Sequence, residues 1–188
     1  MGIILASKSP RRRELLEKIG ITDFKIFPAE DEDSPDSGLS PAETVKQIAS
    51  GKARQVSEKY SDSLVIAADT LVYLDGEPLG KPEDEDDAMR MLRRLSGRTH
   101  DVYTGICVRL GEKMLCEAEQ TRVTFRELTD DEIAVYVATG EPMDKAGAYG
   151  IQGRGAVLAE RIDGDFFNVM GLPLCRLYKM LREFELTV

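Results

Sequence analysis

The segment Glu141-Pro142-Met143-Asp144-Lys145-Ala146-Gly147-Ala148-Tyr149-Gly150-Ile151-Gln152-Gly153-Arg154-Gly155-Ala156 carries four glycines among carboxylate, amide and cationic side chains. It shows neither helical nor strand periodicity. Glycine is used where backbone must take positive φ or come close to a neighbour. Polar residues between the glycines indicate that the neighbour is a polar ligand, although an ordinary surface loop would have a similar composition. A second segment, Leu5-Ala6-Ser7-Lys8-Ser9-Pro10-Arg11-Arg12-Arg13-Glu14-Leu15-Leu16, runs from an apolar strand into a hydroxyl- and arginine-rich helix start. A helix opening there directs backbone N–H groups and a positive dipole end toward the space above the strand. The arginines add forked donors that fit phosphate oxygens. Successive helical positions diverge by about 100°, so Arg11, Arg12 and Arg13 cannot all face one ligand. Arg13 is expected at the surface. The two segments read as walls of one anion-binding cleft.

Other ionisable residues stand where they could serve the same chemistry. Asp69 ends the apolar run Leu64-Val65-Ile66-Ala67-Ala68, a place that suits a carboxylate beside a cleft and equally a turn or cap. Lys81 lies between Gly80 and Pro82, and a residue before proline is held extended. Its amine could project from a loop. Glu30-Asp31-Glu32-Asp33 reads as a solvated acidic loop, or as a source of oxygen ligands for Mg²⁺, which takes one or two carboxylates plus phosphate oxygens and water. Lys52, taken alone, is a surface residue of a helix. Asp144 and Lys145 either join the glycine-rich wall or pair with each other.

Composition narrows the classes. A chain of 188 residues with 42% hydrophobic and 31% charged residues suits one globular domain, residues 1–188, with lobes around a cleft. A net charge of −9 argues against a nucleic-acid polymer as partner, because that needs a broad basic face. A small phosphorylated ligand needs only a few focused cations. No apolar run approaches the ~20 residues of a membrane span, and no signal pattern opens the chain, so a cytoplasmic protein without a membrane partner is expected. Cys107, Cys116 and Cys175 sit in apolar stretches and read as small core residues. With His100 as the one histidine, zinc chemistry and a serine–histidine triad are disfavoured, and His100 itself reads as structural or surface.

The elements that must position these groups follow from pattern. Gly2–Ala6 and Phe24–Pro28 read as strands, and Pro10 opens a helix behind Ser9 that ends at Gly20. Ser40-Pro41-Ala42-Glu43 is a capping box opening a helix to about Tyr60. A strand runs from Leu64 to Leu74, and Asp75-Gly76 supplies a hairpin turn. Glu83–Leu95 is helical, and Val102–Leu110 and Lys113–Phe125 are antiparallel strands joined at Gly111-Glu112. Thr129 and Glu132 cap a helix that stops at Gly140. Val157–Ile162 and Phe166–Val169 read as strands, and a helix from Pro173 to Phe184 closes the chain. The class is α/β with a mixed sheet.

With Ala68-Asp69-Thr70, Leu79-Gly80-Lys81-Pro82 and Gly171-Leu172-Pro173, the two opening segments resemble the Maf family of nucleoside triphosphate pyrophosphatases. The combination Asp-Lys-Ala-Gly-Ala-Tyr and Ile-Gln-Gly resembles the branch acting on dTTP and UTP. The resemblance covers essentially the whole chain. It implies an elongated twisted sheet with a lobe on each side and the active site between them, as in inosine-triphosphatase-like proteins, and a homodimer is expected. It makes Asp69 the acceptor of the attacking water's proton, and makes Lys81 and Lys52 site lysines. Glu32 is the acidic loop residue that joins Asp69 at a divalent metal, Mg²⁺ or Mn²⁺, with Glu30 as the alternative register. Arg11, Thr70 and Gln152 become the positions that select the base, with Arg12 second to Arg11. Ser7, Ser9 and Lys145 complete the substrate contacts. A hydroxyl and an amide can read a pyrimidine's carbonyl and N–H edge.

The expected reaction is hydrolysis between the α- and β-phosphates to monophosphate and pyrophosphate, removing non-standard nucleotides. A Walker-type nucleotidase is disfavoured because no Gly-x4-Gly-Lys-Ser/Thr occurs. The family has been linked to inhibition of septum formation, so a non-catalytic nucleotide sensor in cell division is an alternative. A pyrophosphatase of different base specificity is another.

Overall fold

The computed structural model describes residues 2–30 and 35–186. Strand β1 (Gly2–Leu5) pairs in parallel with β3 (Ser63–Leu74) along all four residues and, through Ile4 and Leu5, with β2 (Lys25–Ile26) on its other side. Helix α1 (Pro10–Lys18) connects β1 to β2, and α2 (Pro41–Lys59) leads into β3. Past β3 the direction of construction changes. A tight turn at Asp75 (φ 55°) and Gly76 (φ 82°) returns the chain antiparallel as β4 (Glu77–Leu79). Helix α3 (Glu85–Leu95) precedes the long strands β5 (Thr99–Leu110) and β6 (Lys113–Phe125); α4 (Asp130–Val137), β7 (Ala159–Asp163), α5 (Phe166–Met170) and α6 (Leu174–Arg182) follow. The strand order is β2-β1-β3-β5-β6-β7 with β4 against β3, a mixed sheet as the sequence implies.

Two compact units share these strands. The first takes residues up to Thr70, Thr104–Glu119 and those from Gly171 onward; the second takes Leu71–Tyr103 and Gln120–Met170. Each has its own core. In the first, Val65 and Ala67 of β3, with Ile4 and Ala6, pack on Ala49, Ala53 and Val56 of α2. The capping box of Ser40 and Glu43 forms and fixes where α2 begins. Gly105 sets how closely α2 approaches the sheet, since a Cβ there would lie 2.2 Å from the carbonyl oxygen of Val45. In the second, Ala88, Leu92 and Leu95 of α3 pack with Ile133, Tyr136 and Val137 of α4 over Val72, Leu74, Phe125 and Tyr149. Burying each such aliphatic side chain contributes roughly 1.5–3 kcal/mol.

Three expectations are corrected. Phe166–Val169 is not a strand but the helical turn α5. Asp165 accepts the Phe167 amide at its start, and Asn168 is pulled inward to donate to the Val102 carbonyl and Thr121 Oγ1. The second correction concerns Val157, which belongs to a 3₁₀ turn, Gly153–Val157, so β7 begins only at Ala159. The third is partial: Cys107 is buried in the first unit's core and Cys116 packs against it, as expected, but the pairing of these two and the exposure of Cys175 are not what the sequence implies. Cys107 and Cys116 meet as a cross-strand disulfide between β5 and β6, their Cα atoms 4.2 Å apart, and Cys175 is exposed. The turn at Gly111-Glu112 places residues 107 and 116 opposite each other, which spacing in sequence conceals.

Candidate functional site

In the first unit the register Leu5 opposite Ile66 brings the end of β1 alongside the middle of β3. The Ala6 amide continues the pairing to the Ile66 carbonyl. Ser7 and the start of α1 therefore arrive beside Asp69 and Thr70, midway along β3. Ser9 stands at the N-cap with Pro10 behind it, but its side chain does not cap the helix; its amide donates to Ser7 Oγ at 3.2 Å. Arg12 is drawn into this corner. Its Nε donates to the Gly171 carbonyl (2.8 Å), Nη1 to Ser7 Oγ (3.2 Å) and Nη2 to Thr70 Oγ1 (3.1 Å). Thr70 Oγ1 also shares a proton with Thr104 Oγ1 at 2.9 Å. Arg11 is half-buried beside it, and Arg13 is exposed and pairs with Glu17, as the sequence implies. A guanidinium held at three points cannot swing, so its position is set before any ligand arrives.

Lys52 is not the surface residue that its helix alone suggests. It is 9% exposed, and its Nζ donates to Asp69 Oδ1 at 2.7 Å. Both side chains are nearly dry, 10% and 14% exposed. A pair this buried loses hydration on both sides, and removing one member leaves an uncompensated charge at a cost of about 3–5 kcal/mol. Here the ammonium fixes one carboxylate oxygen of Asp69.

On either side of the undescribed residues 31–34, Glu30 and Asp36 bond to α2. Glu30 accepts from Lys59 at 2.7 Å, its amide donates to Gln55, and the bond to Lys59 holds its carboxyl below the usual range. Asp36 exchanges hydrogen bonds with Gln47. Lys52 lies between these two anchor points on α2. Glu32, the expected loop carboxylate, falls outside the described residues. Among the described residues no three His, Cys, Asp or Glu side chains cluster. One inward carboxylate, Asp69, still fits a hard divalent ion that takes much of its coordination from phosphate oxygens.

The glycine-rich segment belongs to the second unit. It folds as three 3₁₀ turns, Glu141–Asp144, Ala146–Ala148 and Gly153–Val157. The Gly147 amide donates to the Gly80 carbonyl at 3.0 Å, so the loop carrying Lys81 is fastened to this segment. Lys81 is exposed and Gln152 half-buried. Lys145 donates to Asp144 Oδ1 and to the Glu141 carbonyl, both at 2.6 Å, which realises the pairing of the two neighbours. Tyr149 turns inward, and its hydroxyl meets His100 Nε2 at 2.8 Å beside the ring of Phe125. Burial pushes His100 down to about 4, so it is a neutral structural residue at neutral pH. Burial also pushes the Tyr149 and Tyr136 phenols up.

The structure adds residues to which the sequence reading gave no role. Thr104 and the Gly171 carbonyl orient Thr70 and Arg12, and Glu141 and Tyr136 support the glycine-rich segment. The sequence held two signals of them, the Gly171-Leu172-Pro173 motif and the position of Glu141 inside a chemically unusual segment.

The Maf-like protein family pattern matches residues 2–184. The chain belongs to the Maf family. It is 51% identical to a dTTP/UTP pyrophosphatase of Dictyoglomus turgidum over 97% of this chain and 95% of that one. Proteins of the same description from Aquifex aeolicus and Bacillus cereus strain B4264 are 50% and 48% identical, each over 99% of this chain and 97% of the relative. Among solved structures, a HAM1 protein from Coxiella burnetii superposes with a TM-score of 0.55 over 97% of this chain and 99% of the other at 18% identity, a likeness of fold. No helix among the described residues is long and apolar enough to cross a membrane.

Proposed function

We propose that this Maf-family chain is a nucleoside triphosphate pyrophosphatase that hydrolyses dTTP and UTP to the monophosphate and pyrophosphate. The observation that carries the reading is the buried Lys52–Asp69 pair midway along β3, next to the arginine fixed by Ser7, Thr70 and Gly171. Lys52 occupies one oxygen of Asp69, and the other accepts a proton from water. The water oxygen forms a bond to the α-phosphorus as the bond from that phosphorus to the α–β bridging oxygen breaks. The electron pair leaves with pyrophosphate, and the proton passes to Asp69. A bound Mg²⁺ or Mn²⁺, held by Asp69, Glu32 and phosphate oxygens, would neutralise charge on the triphosphate. Arg12, already fixed by its three bonds, and Lys81 serve the same charge as cations. Phosphoryl transfer of this kind rests on positioning and electrostatics and needs neither histidine nor thiol.

Base selection falls to Gln152, Thr70 and Arg11, with Ser7, Ser9 and Lys145 lining the substrate. A site built to hydrogen-bond a base rejects one that leaves its polar groups unpaired. Assembly as a homodimer is part of the same proposal and is checked by sedimentation. The deciding experiment is a panel of common and modified triphosphates scored for pyrophosphate release. Turnover with dTTP and UTP at the head of the panel supports this reading. Tight binding without turnover would point to the nucleotide-sensing alternative, and a purine at the head would move the base specificity.

A further inference from the structure

The backbone around Gln152 converges on one side chain that the reaction does not use. Glu141 Oε2 accepts the Arg154 amide at 2.9 Å, and Oε1 accepts the Gly155 amide at 3.1 Å and the Tyr136 hydroxyl at 3.0 Å. The same Tyr136 oxygen accepts the Gly150 amide at 3.1 Å. Burial keeps the Tyr136 phenol protonated, so it can donate to Glu141 while it accepts from Gly150. Thus the chain is held two residues before Gln152 and two and three residues after it. Glu141 is itself secured, its amide donating to Thr139 Oγ1 and its carbonyl accepting from Lys145 Nζ. The glycines are shaped around the carboxylate. A Cβ on Gly153 would stand 2.7 Å from Glu141 Oε2, and one on Gly155 would stand 2.1 Å from the Gly150 carbonyl oxygen.

We infer that Glu141, working with Tyr136, is a positioning residue that sets the backbone of Gly150–Gly155 and through it the direction in which Gln152 presents its amide. The inference rests on the proposed base-reading role of Gln152. An ionised carboxylate only accepts, which suits three donors arriving together. In Glu141→Gln the volume is kept but one oxygen becomes an N–H₂ donor. In either amide orientation that group opposes a backbone N–H, of Arg154 or of Gly155. The loop must then shift, while the cores of α3 and α4 keep their contacts.

The test compares kcat/KM for UTP and ATP in the wild type, Glu141→Gln, Gln152→Ala and the double variant, together with amide hydrogen exchange. Each single change should lower the UTP-to-ATP ratio by roughly tenfold. The double variant should lie no lower than Gln152→Ala, because Glu141 acts through Gln152. Exchange at the Arg154 and Gly155 amides should quicken at least about tenfold in Glu141→Gln, with α3 and α4 unchanged. Tyr136→Phe, which keeps the ring and loses the hydroxyl, should move ratio and exchange in the same direction by less. It also provides a folded variant should Glu141→Gln not fold. If Gln152→Ala lowers the ratio and Glu141→Gln does not, the positioning role is wrong and the base-reading role stands. If Gln152→Ala leaves the ratio unchanged, base reading by Gln152 fails, and quickened exchange would leave Glu141 as a clamp of the segment alone. Full additivity in the double variant, or unchanged exchange at Arg154 and Gly155, overturns the inference.

Discussion

The corner around Asp69 and the segment around Gln152 are built in opposite ways. At Asp69 regular strands and a capped helix bring side chains together: Lys52 from α2, Arg12 from α1, and Thr70 and Asp69 from β3. The backbone there is ordinary, and the placement comes from side-chain bonds. Around Gln152 the backbone itself is the construction, three 3₁₀ turns with Gly147 at φ 69° and Gly153 at φ 62°, gathered on one carboxylate. A side-chain site can lose one group and keep its frame. A backbone site transmits damage at any supporting residue. The difference suits a division in which fixed cations and a carboxylate serve a phosphate chain common to all triphosphates, while a shaped loop discriminates among bases.

The sharpest way to break this comparison is Asp69→Asn. The amide oxygen can still accept from Lys52, but the buried ammonium loses its counter-charge, so the variant should be less stable by up to about 3–5 kcal/mol. Its fold is checked by circular dichroism, and the proton acceptor is gone. We expect turnover to fall by ~10²–10⁴ with nucleotide affinity retained. Near-normal turnover would remove the chemistry from this corner.

The loop side is tested through His100, which pins Tyr149 to β5. Its folded value of about 4 lies below the 6.5 of an unhindered imidazole. As pH falls the unfolded chain binds this proton first. The stabilisation is therefore complete above pH 6.5 and is lost between 6.5 and about 4. Two and a half units correspond to about 3 kcal/mol. Urea midpoints across that range should show the loss in the wild type, and His100→Gln, less stable overall, should lack this component. A pH-independent wild type would mean that the ring is not held neutral.

Gln152→Ala and Lys81→Ala separate two functions within the second unit. The first should reduce the pyrimidine-to-purine ratio of kcat/KM by roughly tenfold if two hydrogen bonds are lost. Lys81→Ala should slow all triphosphates alike. Equal slowing by both would make the glycine-rich segment a scaffold without base selectivity.

Much of the frame was legible because its signals are local. The capping boxes of Ser40 with Glu43 and of Thr129 with Glu132 form as their sequences imply, and the apolar run into Asp69 is the central strand β3. What failed to show was decided by partners distant in sequence. A short apolar run fits strand or helix equally, and Phe166–Met170 became helical because Asn168 finds Val102 and Thr121. That Arg12 meets Thr70 depends on the β1–β3 register and on the Gly171 carbonyl, both set by residues distant in sequence. Helix periodicity alone leaves Lys52 at the surface, and only the resemblance marks it as a site lysine; its contact with Asp69 needs α2 laid against β3. Cys107 and Cys116 became partners only once the hairpin was closed. The acceptor role of Glu141 could not be read before the turns that surround it.

The central claim is that water placed at Asp69 attacks the α-phosphorus. Hydrolysis of UTP in water enriched in oxygen-18 tests it directly, with mass spectrometry of both products after a single turnover. The account predicts one labelled oxygen on UMP and unlabelled pyrophosphate, with the labelled product suppressed in Asp69→Asn. Label in pyrophosphate with none in UMP, or release of inorganic phosphate from the γ-position, would contradict it.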